Sequence, residues 1–219
     1  MWRLVAFAAL LTMPAALSAQ TPGTIDVPTV TVRLYRSSVR PAELRAARTV
    51  TDQILGTSGI GVVWLNCGLD REDPGPIPTA CGRALGAREL VLSIVPTDPT
   101  GSRDNKEALG MAAIDMVAHA GTVAMVYSEN VTALARAALT SPIDLLGRAM
   151  AHEIGHLLIG TNQHAARGLM RAVYSRDELR RDAPRDWMFS EPETMAMRRA
   201  IELRSVPHSA SQLEPGQRR

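Results

Sequence analysis

Ala151-His152-Glu153-Ile154-Gly155-His156-Leu157-Leu158-Ile159-Gly160-Thr161-Asn162-Gln163-His164, with Gly168-Leu169-Met170 just beyond, is the stretch on which the reading of this 219-residue chain turns. Residues i and i+4 lie on one face of a helix, about one turn apart. On a helix, His152 and His156 therefore aim two imidazoles at one point, and Glu153 stands one step round beside them. The flanking sequence supplies that helix. Ser141-Pro142-Ile143-Asp144 reads as an N-cap, a proline at the first helical position and an acid in the first turn. Apolar residues recur at Ile143, Leu145, Leu146, Ala149, Met150, Ile154, Leu157 and Leu158, a density that predicts a buried helix rather than a half-exposed one. Gly160 suits a left-handed exit, after which His164 returns from the following loop.

Histidines on an apolar helix are costly to bury without partners, so either hydrogen bonds or a metal must satisfy them. Only five histidines occur in the chain, and three of them fall between positions 152 and 164, which favours a metal. H-E-x-x-H on a helix is the spacing of zinc hydrolases. Catalytic zinc takes three protein ligands and leaves a fourth position to water. It lowers the pKa of that water from ~16 to about 7 and polarises a substrate carbonyl. His152, His156 and His164 are the candidate zinc ligands. Glu153 is the candidate catalytic base, taking the water's proton and then passing it to the leaving amine.

The histidine pair, a glycine, a third histidine and then a methionine resemble the zinc site and Met-turn of the metzincin metallopeptidases. In that family the third histidine follows the second by six residues, with a glycine midway. Here Ile159 and Asn162 occupy those places, and the glycine and histidine come one and two positions later, as Gly160 and His164. The resemblance covers about residues 142 to 174 and is to the zincin class more than to a strict metzincin. It implies that Met170 packs beneath the metal as the Met-turn residue. Glutamate-type zincins instead draw a third ligand from a second helix some twenty residues on, where this chain has Glu178. His164 is preferred, because imidazole is a common zinc ligand and His164 leads directly toward Met170. Glu178 otherwise reads as a first-turn acid of a helix that starts at Ser175. Tyr174 is a candidate oxyanion donor, with Arg167 and Arg171 as weaker ones; the plainer reading of Tyr174 is a packed side chain.

Met1-Trp2-Arg3, the apolar run Leu4 to Leu11, and Leu17-Ser18-Ala19 read as a signal peptide (residues 1–19) cleaved after Ala19, implying a secreted or periplasmic protein. No stretch is long enough for a transmembrane helix. Residues 20–205 are expected to form one catalytic domain, and 206–219 a disordered tail. Cys67 and Cys81 are the only cysteines, and an oxidising compartment favours a disulfide between them. Closing a loop of about 15 residues contributes roughly 3 kcal/mol. The alternative is a cysteine that occupies the zinc and keeps the enzyme latent.

Strands are expected at residues 27–35, 61–65 and 89–95, and helices at 41–55, 130–139 and from Ser190 to about Arg204. Residues 110–118 and 122–127 suggest a hairpin turning at His119-Ala120-Gly121, with His119 as a turn residue. The fold class is α+β, a mixed β-sheet with a buried zinc-binding helix in a metzincin-like zincin domain. In the metzincins an edge strand above the motif helix binds extended peptide, and either Met111 to Val117 or Val123 to Tyr127 is placed for it; an ordinary paired core strand is the plainer reading of both.

Loss of Arg3 with the leader lowers the formal net charge of +2 by one, and acids and bases interleave through the Arg-rich C-terminal third. That pattern excludes a nucleic-acid patch. The expectation is a secreted zinc-dependent metallopeptidase that cleaves peptide or protein substrates through a zinc-bound water activated by Glu153. The alternatives are an exported zinc- or peptide-binding protein without turnover, and a zinc amidase acting on non-peptide material such as cell wall.

Overall fold

Val30, Val32 and Leu34 place every second side chain of β1 (Thr29–Ser37) on one face, and all three are buried. The alternation repeats in β3 (Glu89–Val95) at Leu90, Leu92 and Ile94, and in β5 (Ala120–Tyr127) at Ala124 and Val126. With β2 (Gly61–Asn66) and β4 (Gly110–Asp115) they form a five-stranded sheet ordered β2-β1-β3-β5-β4. In the computed structural model, which describes residues 27–68, 76–101 and 107–204, β1 runs parallel to β2 and β3, and β3 runs parallel to β5. Only β4 is antiparallel, paired to β5 at the sheet's edge. The class is the mixed α+β expected from the sequence. The signal segment 1–19 and the tail 206–219 lie outside the described residues.

Helices α1 (Pro41–Thr57) and α3 (Pro142–Ile159) pack side by side, and the reason is Gly147. A methyl group there would stand 2.6 Å from both the Ala47 carbonyl oxygen and Val50 Cβ. Its absence lets the backbones approach, and the Thr51 hydroxyl donates across the crossing to the Gly147 carbonyl at 3.0 Å. The ends of α3 are those read from the sequence. Ser141 Oγ accepts from the Asp144 amide at 3.2 Å, Pro142 opens the first turn, and Gly160 closes the last with φ +76°. Every residue from Leu145 to Leu158 is buried. Helix α5 (Glu191–Leu203) packs on α3, and Arg204 just after it donates to the Leu157 carbonyl at 2.8 Å and to the Gly121 carbonyl at 3.0 Å.

Several boundaries depart from the sequence reading by about two residues, and those of β4 and α2 have a visible cause. The hairpin turns at residues 116–119, not at His119-Ala120-Gly121, and β4 ends at Asp115. The Asp115 carboxylate accepts the Val117 and Ala118 amides at 2.8 and 2.9 Å, and this side-chain turn stops the ladder early. Helix α2 (Ser128–Ala138) begins two residues before Asn130, because β5 runs straight into it with no side-chain cap at Tyr127. As an edge strand, Val123–Tyr127 is also corrected: β5 is paired on both sides, and β4 is the edge.

Cys67 and Cys81 form the expected disulfide, with Cα atoms 5.5 Å apart, and the latency alternative for a free cysteine falls away. The bridge ties the end of β2 to a 3-10 turn at Thr79–Gly82. Beneath it, buried Arg33 pairs with Glu89 and donates to the Arg83 carbonyl at 2.9 Å, while the Tyr35 hydroxyl donates to the Cys81 carbonyl at 2.9 Å. Among the described residues, no helix is long and apolar enough to cross a membrane.

Candidate metal centre

His152 and His156 project from the buried face of α3, and each is fixed by its far nitrogen. His152 Nδ1 donates to the Leu169 carbonyl at 2.8 Å, and His156 Nδ1 donates to the Thr161 carbonyl at 2.7 Å. A carbonyl only accepts, so both Nδ1 atoms carry the proton and both Nε2 atoms present a lone pair. Those Nε2 atoms lie 3.0 Å apart, and His164 Nε2 stands 3.3 Å from that of His156. His164 comes from the coil after α3, beyond the left-handed Gly160 and the Thr161 turn, where the Gln163 amide donates to Thr161 Oγ1. The loop that is two residues longer than the metzincin spacing thus still returns its histidine to the helix face.

The fixed tautomers make the cluster informative. Lone pairs at His152 and His156 cannot hydrogen-bond to one another, so their convergence is repulsive unless a cation lies between them. Tetrahedral nitrogen ligands at ~2.0–2.1 Å from zinc stand about 3.3 Å apart, close to the 3.0 and 3.3 Å from His156 to its two neighbours. The ligand atoms of His152, His156 and His164 all lie within 4.8 Å of one another, and they are the one such group of three among the described residues. Burial pushes all three imidazoles below their ordinary value, His152 to about 3 with His156 adding to the effect, so they stay neutral near pH 7. The donor set, the tautomers and the spacing fit zinc.

Glu153 sits one residue round the helix and is buried. The first residue of β4 crosses against it, since a methyl group on Gly110 would stand 2.6 Å from Glu153 Oε1. Burial pushes the carboxyl up to about 8. A dication within a few Å acts in the opposite sense and returns it toward the carboxylate.

Beneath the pair, Met170 is buried against α3 at Gly155, where an added methyl would stand 2.9 Å from Met170 Sδ and 2.6 Å from Phe189 Cε1. The turn that carries Met170 is closed by the Ala165 amide donating to the Met170 carbonyl at 2.8 Å and by left-handed Gly168 at φ +77°.

The oxyanion expectation for Tyr174 is corrected. Its hydroxyl donates to the Leu169 carbonyl at 2.6 Å and lies 3.1 Å from His152 Nδ1, behind the ring and away from the converging Nε2 atoms. Arg171 is on that same side, bonded to Glu178 at 2.9 Å and over the Tyr174 and Trp187 rings. Arg167 is exposed, with nothing to hold it at the site. Glu178 caps α4 (Arg176–Arg181), accepting the Ser175 amide at 2.9 Å and the Ser175 hydroxyl at 2.7 Å. His119 is a turn residue at φ +48°.

Sequence reasoning missed the supporting shell. The Leu169 and Thr161 carbonyls are backbone groups with no side-chain signature. Trp187, which packs edge-on to Tyr174 at 5.3 Å and lies beneath the Arg148 guanidinium at 4.0 Å, comes from a 3-10 turn at Pro184–Trp187.

No family model matches the chain, and no curated protein matches it significantly. Among solved structures it is similar to a zinc-dependent peptidase from Methanocorpusculum labreanum, with 16% identity and a TM-score of 0.48 over 76% of this chain and 99% of that one. It is also similar to an archaemetzincin from Methanopyrus kandleri, with 16% identity and a TM-score of 0.45 over 80% and 95% of the two chains. At this level of likeness neither carries the functional reading, which rests on the side chains themselves.

Proposed function

We propose that the protein is a zinc-dependent metallopeptidase. The observation that supports this most is the convergence of three imidazole Nε2 atoms, two of them with Nδ1 locked by carbonyls, directly beside a buried glutamate. His152, His156 and His164 hold the zinc. When bound, the metal supplies Lewis acidity toward a substrate carbonyl and a water of lowered pKa.

The remaining steps belong to the chain. Glu153 accepts the water's proton and delivers it to the leaving amine, the acid–base role for which its place beside the histidines suits it. Leu169 and Thr161 keep two imidazoles in the tautomer that presents Nε2. Met170 and Phe189 hold the floor dry. The edge strand β4 starts at Gly110 against Glu153, so an extended peptide added to that edge passes the reactive carboxylate. The Cys67–Cys81 disulfide suits the exported setting read from the leader.

Glu153→Gln is the test. The variant should bind zinc as the wild type does and lose peptide hydrolysis by at least about a hundredfold, the scale of a general base. Wild-type turnover in Glu153→Gln contradicts the mechanism. Zinc binding with no turnover on any peptide, but with release of amine from non-peptide amides, would move the assignment to an amidase.

A further inference from the structure

The Leu109 carbonyl accepts the Tyr127 amide at 2.8 Å, so the β4–β5 ladder opens on a hydrogen-bonded pair. Bonded and unbonded pairs alternate along an antiparallel ladder. Gly110, opposite Val126, is therefore an unbonded position, and its amide and carbonyl turn outward to the free edge of the sheet. Its missing side chain would point elsewhere, on the face that buries Ala112 two residues on. That face looks onto α3. A Cβ built at Gly110 stands 2.6 Å from Glu153 Oε1 and 2.8 Å from Glu153 Cδ.

Packing alone sets where that carboxyl sits. Among the described residues, no hydrogen bond or ion pair holds Glu153. The strand above it is tethered: Asn130 Nδ2 donates to the Ala108 carbonyl at 2.7 Å, and the Tyr127 amide holds Leu109. The Met125 carbonyl oxygen already stands 2.5 Å from the same Cβ position. A side chain at 110 would thus meet the backbone of β5 and the Glu153 carboxyl together, and the carboxyl is the freer of the two to turn. Relaxed contacts lie near ~3.5 Å, so it would have to move by about 1 Å.

We propose that Gly110 is a positioning residue for Glu153: the lack of a side chain at this one place on β4 leaves the carboxylate where it acts as the base. A reacting group misplaced by about 1 Å loses up to about a hundredfold in rate. The catalytic part of the inference rests on the peptidase reading, whereas the Gly110–Glu153 contact does not.

Two measurements separate the contact from the chemistry. The first compares thermal unfolding of the chelated full chain in wild type, Gly110→Ala, Glu153→Ala and the double variant. Gly110→Ala should lower Tm, and in the Glu153→Ala background that fall should shrink by about half or more. Equal falls in both backgrounds overturn the contact, since the cost would then lie at the Met125 carbonyl alone. If Gly110→Ala does not fold, a folded double variant supports the contact and an unfolded one refutes it. The second is steady-state hydrolysis of a peptide library by the zinc-loaded chain. Gly110→Ala should bind zinc as the wild type does, keep KM within about threefold and lose kcat by about tenfold to a hundredfold. Gly121→Ala is the control at the far end of the same hairpin. Its methyl would stand 2.8 Å from the Ala113 carbonyl oxygen and 2.6 Å from the Ile114 and Leu157 side chains. It should lose stability yet keep kcat within about threefold. An equal loss of kcat in both variants overturns the positioning role, as does a raised KM at unchanged kcat in Gly110→Ala, which would make Gly110 a peptide-docking residue. A wild type that hydrolyses no peptide overturns the peptidase reading instead, and the unfolding cycle still decides the contact.

Discussion

Gly155→Ala sets two well-known effects against each other between the two zinc-ligand histidines. In an exposed helix interior, replacing glycine by alanine stabilises by about 1 kcal/mol. Gly155 is not exposed: its new methyl would stand 2.6 Å from Phe189 Cε1, 3.0 Å from Phe189 Cζ and 2.9 Å from Met170 Sδ. Relaxed carbon contacts lie near ~3.5–4.0 Å, so the overlap is about 1 Å against two side chains at once. Met170 is 1% exposed and Phe189 8%, so neither can swing into solvent. Overpacking of this kind costs about 1–3 kcal/mol, and against the propensity gain the net loss should be about 0–2 kcal/mol. For a domain of this size that corresponds to a fall in Tm of up to roughly 8 °C. Thermal unfolding of the metal-free chain, followed by circular dichroism, measures it directly. Zinc affinity, read by chelator competition, should fall by about 10–100-fold as the floor under His152 and His156 shifts. A Gly155→Ala variant that melts higher than wild type would refute the packing argument, because propensity alone predicts that outcome.

Other consequences follow from the same geometry. Tyr174→Phe keeps the ring against Trp187 and removes the hydroxyl from the Leu169 carbonyl; zinc affinity should drop about 10-fold or more while peptide KM changes little, and an unchanged affinity would show that the hydroxyl does not steady His152. Reducing the Cys67–Cys81 disulfide should remove roughly 3 kcal/mol of stability, about 6–12 °C in Tm, in the wild type but not in a Cys67→Ser/Cys81→Ser chain. In metal-free protein, Glu153 has a folded-state pKa raised to about 8 from the ordinary 4.5, so the folded chain keeps a proton that the unfolded chain releases. That contribution is complete below the unfolded value and is lost as pH rises through about 8. Glu153→Gln should therefore raise the Tm of the chelated protein at pH 8.5 and leave it nearly unchanged at pH 4; equal shifts at both pH values would contradict the burial argument.

The parts that could be read from the sequence are those where the side chain itself dictates structure. Helix α3 announced both its ends through Ser141, Pro142 and Gly160, and its burial through the density of leucine and isoleucine. The placement of His152 and His156 followed from helical spacing alone. His164 and Glu178 could not be separated that way, because the choice depends on where a loop returns after Gly160. In the structure the Ser175 cap engages Glu178, while His164 Nε2 stands 3.3 Å from His156 Nε2. The hairpin boundary was misplaced because one carboxylate, Asp115, accepts two amides and ends β4 early. The start of α2 was missed because nothing caps it. Tyr174 could not be chosen between an oxyanion donor and a packed side chain, since its partner is a backbone carbonyl, and carbonyls leave no trace in residue identity.

The central claim is that three histidines hold one zinc ion. Zinc content per chain of the purified protein, measured for wild type beside His164→Ala and Glu178→Ala, tests it most directly. The geometry predicts about one zinc in wild type and in Glu178→Ala, and loss or sharp weakening in His164→Ala. Zinc fully retained in His164→Ala, or no zinc in wild type after it is supplied, would contradict the three-histidine centre.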